Sequence, residues 1–195
     1  LPGLYQLLAG HKTISRLPRL DVNRLLKREP VATDQAEVGR VLRDATVLVT
    51  GAGGSIGSEL CRQIAGFHPR QLILLGHGEN SIFEIDLDLH LSAPDLVTQP
   101  VIVDVRDRRR LDCVIRETRP DVIFHAAAHK HVPLMEDNVV EAITTNVLGT
   151  RNLLRAAEAN GVERLVLVSS DKAVNPSNVM GATKRLAEML VLSGA

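Results

Sequence analysis

One short segment restricts the fold of this 195-residue chain more than any other. Residues 47–57 read VLVTGAGGSIG, an apolar strand followed at once by a glycine-rich turn. Gly51 permits the tight turn, Gly54 lets the backbone approach a pyrophosphate, and Gly57 allows close packing of the next helix. The free amides at the start of that helix face an anion. The segment predicts the phosphate-binding turn of a dinucleotide-binding Rossmann unit.

Apolar strand segments alternate with helical segments over the rest of the chain. The pattern predicts strands over residues 46–50, 71–75, 100–103, 122–125 and 164–169. It predicts helices over residues 55–65, 79–91, 107–118, 137–160 and 179–193. Strands such as VLVT and LILL are apolar on both faces, as a parallel sheet covered by helices on both sides requires. The predicted fold class is α/β, a doubly wound parallel sheet.

The first 44 residues differ from the remainder of the chain. They contain three prolines and no sustained period, and we interpret them as a lead-in or linker with a short helix near residues 21–26. Residues 45–195 are predicted to form an NAD(P)-binding Rossmann domain that also carries the catalytic residues. Because five β-α units leave no room for a substrate-binding lobe, we expect the fold to be truncated before such a C-terminal lobe.

Composition excludes several functional classes. The formal net charge is zero and aromatic residues make up 2%, so neither a basic field nor a stacking platform favours nucleic acid. Cys61 and Cys113 have no CxxC or Cys/His spacing, which indicates no disulfide framework and no zinc site. No apolar run reaches the roughly 18 residues of a membrane span. We expect a cytoplasmic location, and the absence of an initial methionine leaves a membrane anchor on a longer parent open.

Further residues extend the predicted cofactor site. The second strand ends at Gly76, where an acid that binds the adenosine ribose is usual, and Glu79 lies three residues later. No arginine follows that strand closely, which favours NAD over NADP. Asp104 follows the third strand and is either an adenine contact or a helix N-cap. The predicted cofactor-binding residues from this reasoning are Thr50, Gly51, Gly53, Gly54, Ser55, Ile56, Gly57, Glu79, Asp104, Val105 and the small residues Ala126, Ala127 and Ala128.

Two clusters of polar residues, one of histidines and one of arginines, are not predicted to be functional sites in themselves. His125, His129 and His131 suggest a metal, but a metalloprotease pair needs one helix and a glutamate after the first histidine. A strand is predicted to end at His125 and an alanine follows it, so no metal site is predicted. The arginine-rich residues 106–110 are predicted to be a solvated helix start.

Three more segments carry a family resemblance. They are FHAAAHKHVPLME at residues 124–136, NVLGT at 146–150 and VSSDKAVNPSNVMGATKR at 168–185. With the glycine turn they resemble the extended short-chain dehydrogenase/reductases, and more narrowly the CapD-like nucleotide-sugar 4,6-dehydratases of polysaccharide biosynthesis, which act on UDP-N-acetylglucosamine. The resemblance covers residues 20–195, including the lead-in DVNRLLKREPV. Met180 stands where the YxxxK helix of the superfamily has tyrosine, a departure shared with the long CapD-like members.

The resemblance implies a reaction and roles for four residues. Such enzymes oxidise the sugar at carbon 4 with bound NAD(P)+, remove the carbon-5 proton, eliminate water across carbons 5 and 6, and return the hydride to carbon 6. By resemblance, Asp171 is the acid that protonates the leaving hydroxyl and Lys172 is the base at carbon 5. Ser170 hydrogen-bonds the sugar 4-oxygen, and Lys184 holds the nicotinamide ribose. Lys172 must be neutral to act as a base, so burial or a nearby cation must lower its pKa. The ammonium of Lys184 can supply that cation.

Other positions are assigned by the same resemblance. Asn146 is the helix asparagine that supports such active sites. Lys130 and His131 line the sugar or phosphate pocket, or else form a polar loop at a strand end. The thioether of Met180 cannot act as acid or base, so the acceptor of the 4-hydroxyl proton stays open between Ser170 and Asp171.

Three functions stay open from the sequence. The first is a nucleotide-sugar 4,6-dehydratase, with UDP-N-acetylglucosamine as the expected substrate and NAD or NADP as cofactor. The second is a related epimerase or reductase, which Met180 and the SDK triplet disfavour. The third is a non-catalytic dinucleotide-binding module. An exposed sheet edge favours a homo-oligomer.

Overall fold

A five-stranded parallel sheet forms the centre of the fold. The computed structural model describes residues 34–194, so the short helix predicted near residues 21–26 lies outside the described residues. The strands are β1 (Thr46–Thr50), β2 (Gln71–Gly76), β3 (Thr98–Ile102), β4 (Val122–His125) and β5 (Arg164–Leu167). The sheet order is β3-β2-β1-β4-β5, which confirms the doubly wound α/β prediction.

Helices cover both faces of the sheet. Alternate residues of a strand point to opposite faces, so Val47 and Val49 join one core cluster while Leu48 joins the other. The helices in chain order are α1 (Gln35–Leu42), α2 (Ser55–Ala65), α3 (Glu79–Ser92), α4 (Arg108–Thr118), α5 (Val132–Asp137), α6 (Val139–Ala142), a π-helix (Ile143–Gly149), α7 (Thr150–Ala159), a 3-10 turn (Asp171–Ala173) and α8 (Val179–Ser193). The first cluster packs β1 and β2 against α1, α2 and α3, and the second packs them against α4 and α7.

The N-terminal boundary differs from the expectation. Residues 35–42, which the sequence analysis places in the lead-in, form α1. Leu42 is buried, and Val38 and Val41 pack against the first cluster, so three positions spaced i, i+3 and i+4 present one apolar face. The compact unit therefore begins at Gln35 rather than at Ala45.

The long helix predicted over residues 137–160 is interrupted. Helix α5 begins earlier, with Pro133 in its first turn, and the backbone of Asn138 leaves the helical region before α6 starts. A π-helical segment then widens the helix around Asn146 before α7 continues. Such wide turns are rare and occur frequently at functional sites.

Two strands have boundaries that differ from the predicted ones. Strand β3 begins at Thr98, and Pro100, which has no amide to donate, lies on this edge strand, where proline is tolerated. Strand β5 ends at Leu167 instead of Ser169. The amide of Val168 still donates to the carbonyl of His125 at 3.0 Å, and the chain then leaves the sheet.

Within residues 34–194 no helix combines the length and apolar character needed to cross a bilayer.

Helix α3 offers a direct test of the core. Leu89 is fully buried in the first cluster, while Leu91, two residues later, is 77% exposed. We expect Leu89→Ala to lower the free energy of unfolding by about 2–5 kcal/mol, because lost burial and a residual cavity add. The matched Leu91→Ala should change it by less than about 0.5 kcal/mol. Urea unfolding of both variants checks this, and similar losses would contradict the packing of α3.

Candidate active site

A cleft of about 470 Å³ opens where the carboxyl ends of the central strands meet. The register aligns these ends, since Thr50 of β1 pairs with both Leu75 of β2 and His125 of β4. Ligands of open parallel sheets bind at this edge. The predicted cofactor residues that line the cleft are Gly51, Gly53, Gly54, Asp104, Val105, Ala126, Ala127 and Ala128.

The glycine turn forms a backbone cradle at the start of α2. Gly51 has φ +66°, and a Cβ on it would lie 2.7 Å from the amide nitrogen of Ala127. A Cβ on Gly57 would collide with the Gly51 carbonyl, so these two positions exclude any side chain. A Cβ on Gly54 would meet the Gly51 carbonyl at 3.2 Å, a tight contact that small movements relieve. The amides of the first helical turn have no partner within α2 and are available to an anion.

The far end of the cleft lies beside the ends of β2 and β3. Asp104 accepts bonds from the guanidinium of Arg106 at 2.7–3.1 Å and from its amide at 2.9 Å. These bonds hold the pKa of Asp104 below its usual range. Arg106 also pairs with Glu141 at 2.9 Å. The side chain of Asp107 caps α4 by accepting from the amide of Arg110, so the N-cap alternative for Asp104 is wrong.

Two expectations about this region change. Arg106 is not part of a solvated helix start, because α4 begins at Arg108 and Arg106 turns back towards the cleft. Glu79, the candidate ribose acid, is the first residue of α3 and is not among the residues that line the cleft. His77 and Ser81 line it on either side of that position.

A buried polar chain underlies the cleft. The ring of His125 lies between two hydroxyls, with Thr50 Oγ1 2.7 Å from Nδ1 and Thr150 Oγ1 2.9 Å from Nε2. Burial, reinforced by the positive charge of Lys184, lowers the pKa of His125 to about 3. The imidazole is therefore neutral at physiological pH.

Asn146 joins two functional segments. Its side-chain oxygen accepts from the amide of His129 at 2.8 Å, and its nitrogen donates to the His129 carbonyl at 3.1 Å. The same nitrogen donates to the hydroxyl of Thr183 in α8 at 3.0 Å. Asn146 thus ties the loop after β4 to the helix that carries Lys184, and it acts as a support without lining the cleft.

The predicted catalytic triplet lies together on the 3-10 turn after β5. The hydroxyl of Ser170 donates to Asp171 at 3.1 Å, and the ammonium of Lys172 donates to the same carboxylate oxygen at 3.4 Å. The Ser170 hydrogen bond, with the charge of Lys172 beside it, lowers the pKa of Asp171. Gly181 of α8 allows this arrangement, because a Cβ there would collide with the Lys172 carbonyl. The side chain of Lys172 is 49% exposed in the described part of the chain, so these residues do not supply the burial expected of a neutral base.

The two predicted positions on α8 face different surroundings. Lys184 is buried and donates to the carbonyl of Val168 at 2.7 Å, and burial lowers its pKa. Met180 is also buried and packs with Met135 and Ala142 in a small apolar cluster. Met180 is therefore a core residue of the Rossmann domain.

Lys130 lies next to the phosphate-binding turn. Its ammonium donates to the hydroxyl of Ser55, the first residue of α2, at 2.9 Å. A cation at the positive end of a helix is favoured when an anion lies between them. His131 is exposed and precedes α5 as its N-cap residue. Neither residue lines the cleft described above.

Sequence reasoning missed several residues of the cleft. Two of these, Glu141 and Thr145, are four apart on one helical face, a spacing visible in the sequence. The others follow strand ends, where parallel sheets gather polar groups. The missed polar residues are His77, Ser81, Arg106, His129, Glu141 and Thr145.

Acid titration tests the buried neutral histidine. The unfolded chain takes up a proton on His125 near pH 6.5, whereas the native state does so only near pH 3. The free energy of unfolding should therefore fall as the pH drops below about 6.5, by up to about 1.4 kcal/mol per pH unit from this residue. His125→Asn should remove that part of the slope. Equal slopes for wild type and variant between pH 7 and 5 would contradict the assignment.

Comparison with known proteins identifies the family. Residues 47–195 match the family described as "Polysaccharide biosynthesis protein". The chain is 50% identical to the capsular polysaccharide biosynthesis protein CapD of Staphylococcus aureus, over 99% of this chain and 32% of that protein. It is 36% identical to an inverting UDP-N-acetylglucosamine 4,6-dehydratase of Campylobacter jejuni, over 75% of this chain and 42% of that enzyme.

A solved structure shows the same architecture. The UDP-glucose 4-epimerase of Stenotrophomonas maltophila, determined with bound NAD, superposes with a TM-score of 0.69 and 26% identity, over 76% of this chain and 48% of the epimerase. The chain thus spans about a third to a half of the length of these proteins. It belongs to the polysaccharide biosynthesis protein family, as a CapD-like member of the extended short-chain dehydrogenase/reductases.

Proposed function

We propose that this chain is the cofactor-binding and catalytic part of a nucleotide-sugar 4,6-dehydratase that converts UDP-N-acetylglucosamine to the UDP-4-keto-6-deoxy sugar. The observation that carries the proposal is the turn after β5, where the Ser170 hydroxyl and the Lys172 ammonium lie 3.1 Å and 3.4 Å from the same carboxylate oxygen of Asp171. Elimination of water needs both an acid and a base beside one sugar. The similarity to the Campylobacter dehydratase supports this reaction class, and the similarity to CapD supports a role in polysaccharide biosynthesis.

The ion pair on this turn can supply both groups. In the described structure Lys172 donates to Asp171, whose carboxylate is 88% exposed. Transfer of that proton from Lys172 to Asp171 produces a neutral amine and a carboxylic acid with no change in net charge. A sugar that covers the turn removes water, and loss of solvation favours the neutral pair over the ion pair. Lys172 then takes the carbon-5 proton while Asp171 protonates the leaving hydroxyl.

The cleft fits a dinucleotide. The side-chain-free positions Gly51 and Gly57 form the cradle that a pyrophosphate requires, and Lys130 adds a cation beside it. When bound, NAD+ supplies a reversible hydride acceptor for carbon 4. We propose NAD rather than NADP because the guanidinium of Arg106, at the adenosine end, already pairs with Asp104 and Glu141. Lys184, buried on α8, is proposed to hold the nicotinamide ribose.

A UDP-sugar 4-epimerase is the second candidate. The similarity to the NAD-bound epimerase structure favours it. Epimerisation by this superfamily uses the hydroxyl of the YxxxK tyrosine, and the matching residue here is Met180, which is buried among apolar side chains.

A non-catalytic binding module is the third candidate, and the retained Ser170-Asp171-Lys172 turn weighs against it. We also propose a cytoplasmic location and a homo-oligomer.

Dinucleotide binding can be tested at the glycine turn. A valine at Gly54 should block the approach of a pyrophosphate, and NAD+ affinity should fall by about tenfold or more. Gly54→Ala is the matched control, because its single methyl meets only one backbone atom, at 3.2 Å, and a smaller loss is expected. Isothermal titration calorimetry measures both. Equal NAD+ binding by wild type and Gly54→Val would show that the cofactor lies elsewhere.

The acid and base roles can be separated in a full-length protein that carries this chain. We expect Lys172→Ala to lower dehydration by about 100-fold or more and to abolish carbon-5 exchange with deuterated water. Asp171→Asn should lose dehydration to a similar degree while slower exchange persists, because Lys172 must then release its proton to solvent instead of to Asp171. Arg116→Ala, which removes an exposed surface cation on α4, serves as the control and should retain activity. Normal exchange in Lys172→Ala, followed by NMR, would assign the base to another residue.

A further inference from the structure

A chain of hydrogen bonds runs beneath the cleft and joins three of the segments that form it. At its centre, the ring of His125 lies 2.7 Å from the Thr50 hydroxyl and 2.9 Å from the Thr150 hydroxyl. Beyond Thr150, the chain reaches the carbonyl of Asn146 at 2.6 Å. Beyond Thr50, it reaches the amide of Ala127 at 3.3 Å.

The two ends of this chain determine the direction of every bond. The carbonyl of Asn146 only accepts, so the Thr150 hydroxyl donates to it and its oxygen accepts from Nε2–H of His125. The amide of Ala127 only donates, so the Thr50 oxygen accepts from it. The Thr50 hydroxyl hydrogen is then directed at Nδ1. The neutral Nε2–H tautomer is the one protonation state of His125 that satisfies every donor in the chain.

Each end of the chain touches a part of the proposed cofactor site. Thr50 immediately precedes Gly51 of the phosphate-binding turn, and Ala127, in the loop after β4, also lines the cleft. Asn146 lies in the π-helix, and its side chain holds both backbone groups of His129, which also lines the cleft. A change at His125 therefore reaches the glycine turn, the loop after β4 and the π-helix, although His125 itself does not line the cleft.

We propose that His125 is a positioning residue for the dinucleotide: its directional hydrogen bonds hold the glycine turn, the loop after β4 and the π-helix at the separation that the cofactor needs. The proposal rests on the proposed cofactor-binding function. An apolar ring would fill the same volume, and burying imidazole carries a desolvation cost that only complete hydrogen bonding offsets. Packing alone does not account for this residue, whereas control of hydroxyl orientation does.

Thr150 supplies a variant that is remote from the ligand. It is the first residue of α7, is buried and does not line the cleft. Thr150→Val keeps the shape but removes the acceptor of Nε2–H, so the ring should shift to the Nδ1–H tautomer and donate to Thr50. That shift reverses the Thr50 bond and turns its hydroxyl hydrogen away. Thr150→Ser keeps the hydroxyl and is the matched conservative variant.

The experiment combines 15N NMR of the histidine ring with NAD+ titration and urea unfolding of the chain. We expect the neutral Nε2–H tautomer at pH 7 in wild type and in Thr150→Ser. In Thr150→Val we expect the Nδ1–H tautomer and NAD+ affinity about tenfold weaker. Thr150→Ser should bind within about twofold of wild type, because it rebuilds the same chain. Thr150→Ala, which also lacks the acceptor, replaces the valine variant if the latter does not fold.

Two results would overturn the positioning role. One is a charged or Nδ1–H ring for His125 in wild type at pH 7. The other is a Thr150→Val or Thr150→Ala protein that is less stable to urea yet binds NAD+ as tightly as wild type, which would make the chain purely structural. If wild type bound neither NAD+ nor NADP+, the proposed cofactor function itself would be overturned. Failure of that function is therefore distinguishable from failure of the positioning role of His125.

Discussion

The close approach of two backbones, at Gly51 after β1 and at Ala127 after β4, is the constraint on which the site depends. A Cβ on Gly51 would lie 2.7 Å from the Ala127 nitrogen, so the left-handed glycine lets the neighbouring strands end against each other. Parallel pairing of β1 with β4 brings these two ends to one edge. The cleft, the start of α2 and the loop that carries Lys130 are all arranged around this contact.

The buried polar chain beneath the cleft complements that backbone contact. Apolar clusters on the two faces stabilise the sheet without specifying the orientation of any hydroxyl. The hydrogen bonds of His125 are directional. They therefore restrict the relative position of the glycine turn and the π-helix more than apolar packing does. Asn146 extends the same relation to α8, where Lys184 is buried. The glycine turn and α8 are thus linked through hydrogen bonds in the interior of the domain.

The turn after β5, which carries the proposed catalytic residues, belongs to a different physical environment. Ser170, Asp171 and Lys172 are polar and close together after β5, where Asp171 and Lys172 are exposed and Ser170 is half-buried. An exposed ion pair is stable in water and becomes unfavourable when water is removed. The proposed chemistry at this turn therefore requires a group that covers it, such as the sugar substrate.

The sequence alone determined the fold class and the glycine turn, because each depends on local patterns, whereas the roles of Ser170, Asp171 and Lys172 follow from the family resemblance and stay predictions. Strands that are apolar on both faces and a strand-glycine-helix succession need no distant partner to be recognised. Tertiary structure alone decided that Arg106 pairs with Asp104 and Glu141, that Met180 is a core residue, and that α1 belongs to the compact unit. It also decided which hydroxyls meet His125, since Thr50 and Thr150 lie 75 and 25 residues away in the chain. The physical reason is that hydrogen-bond direction and burial are properties of groups brought together by folding, which no local period encodes.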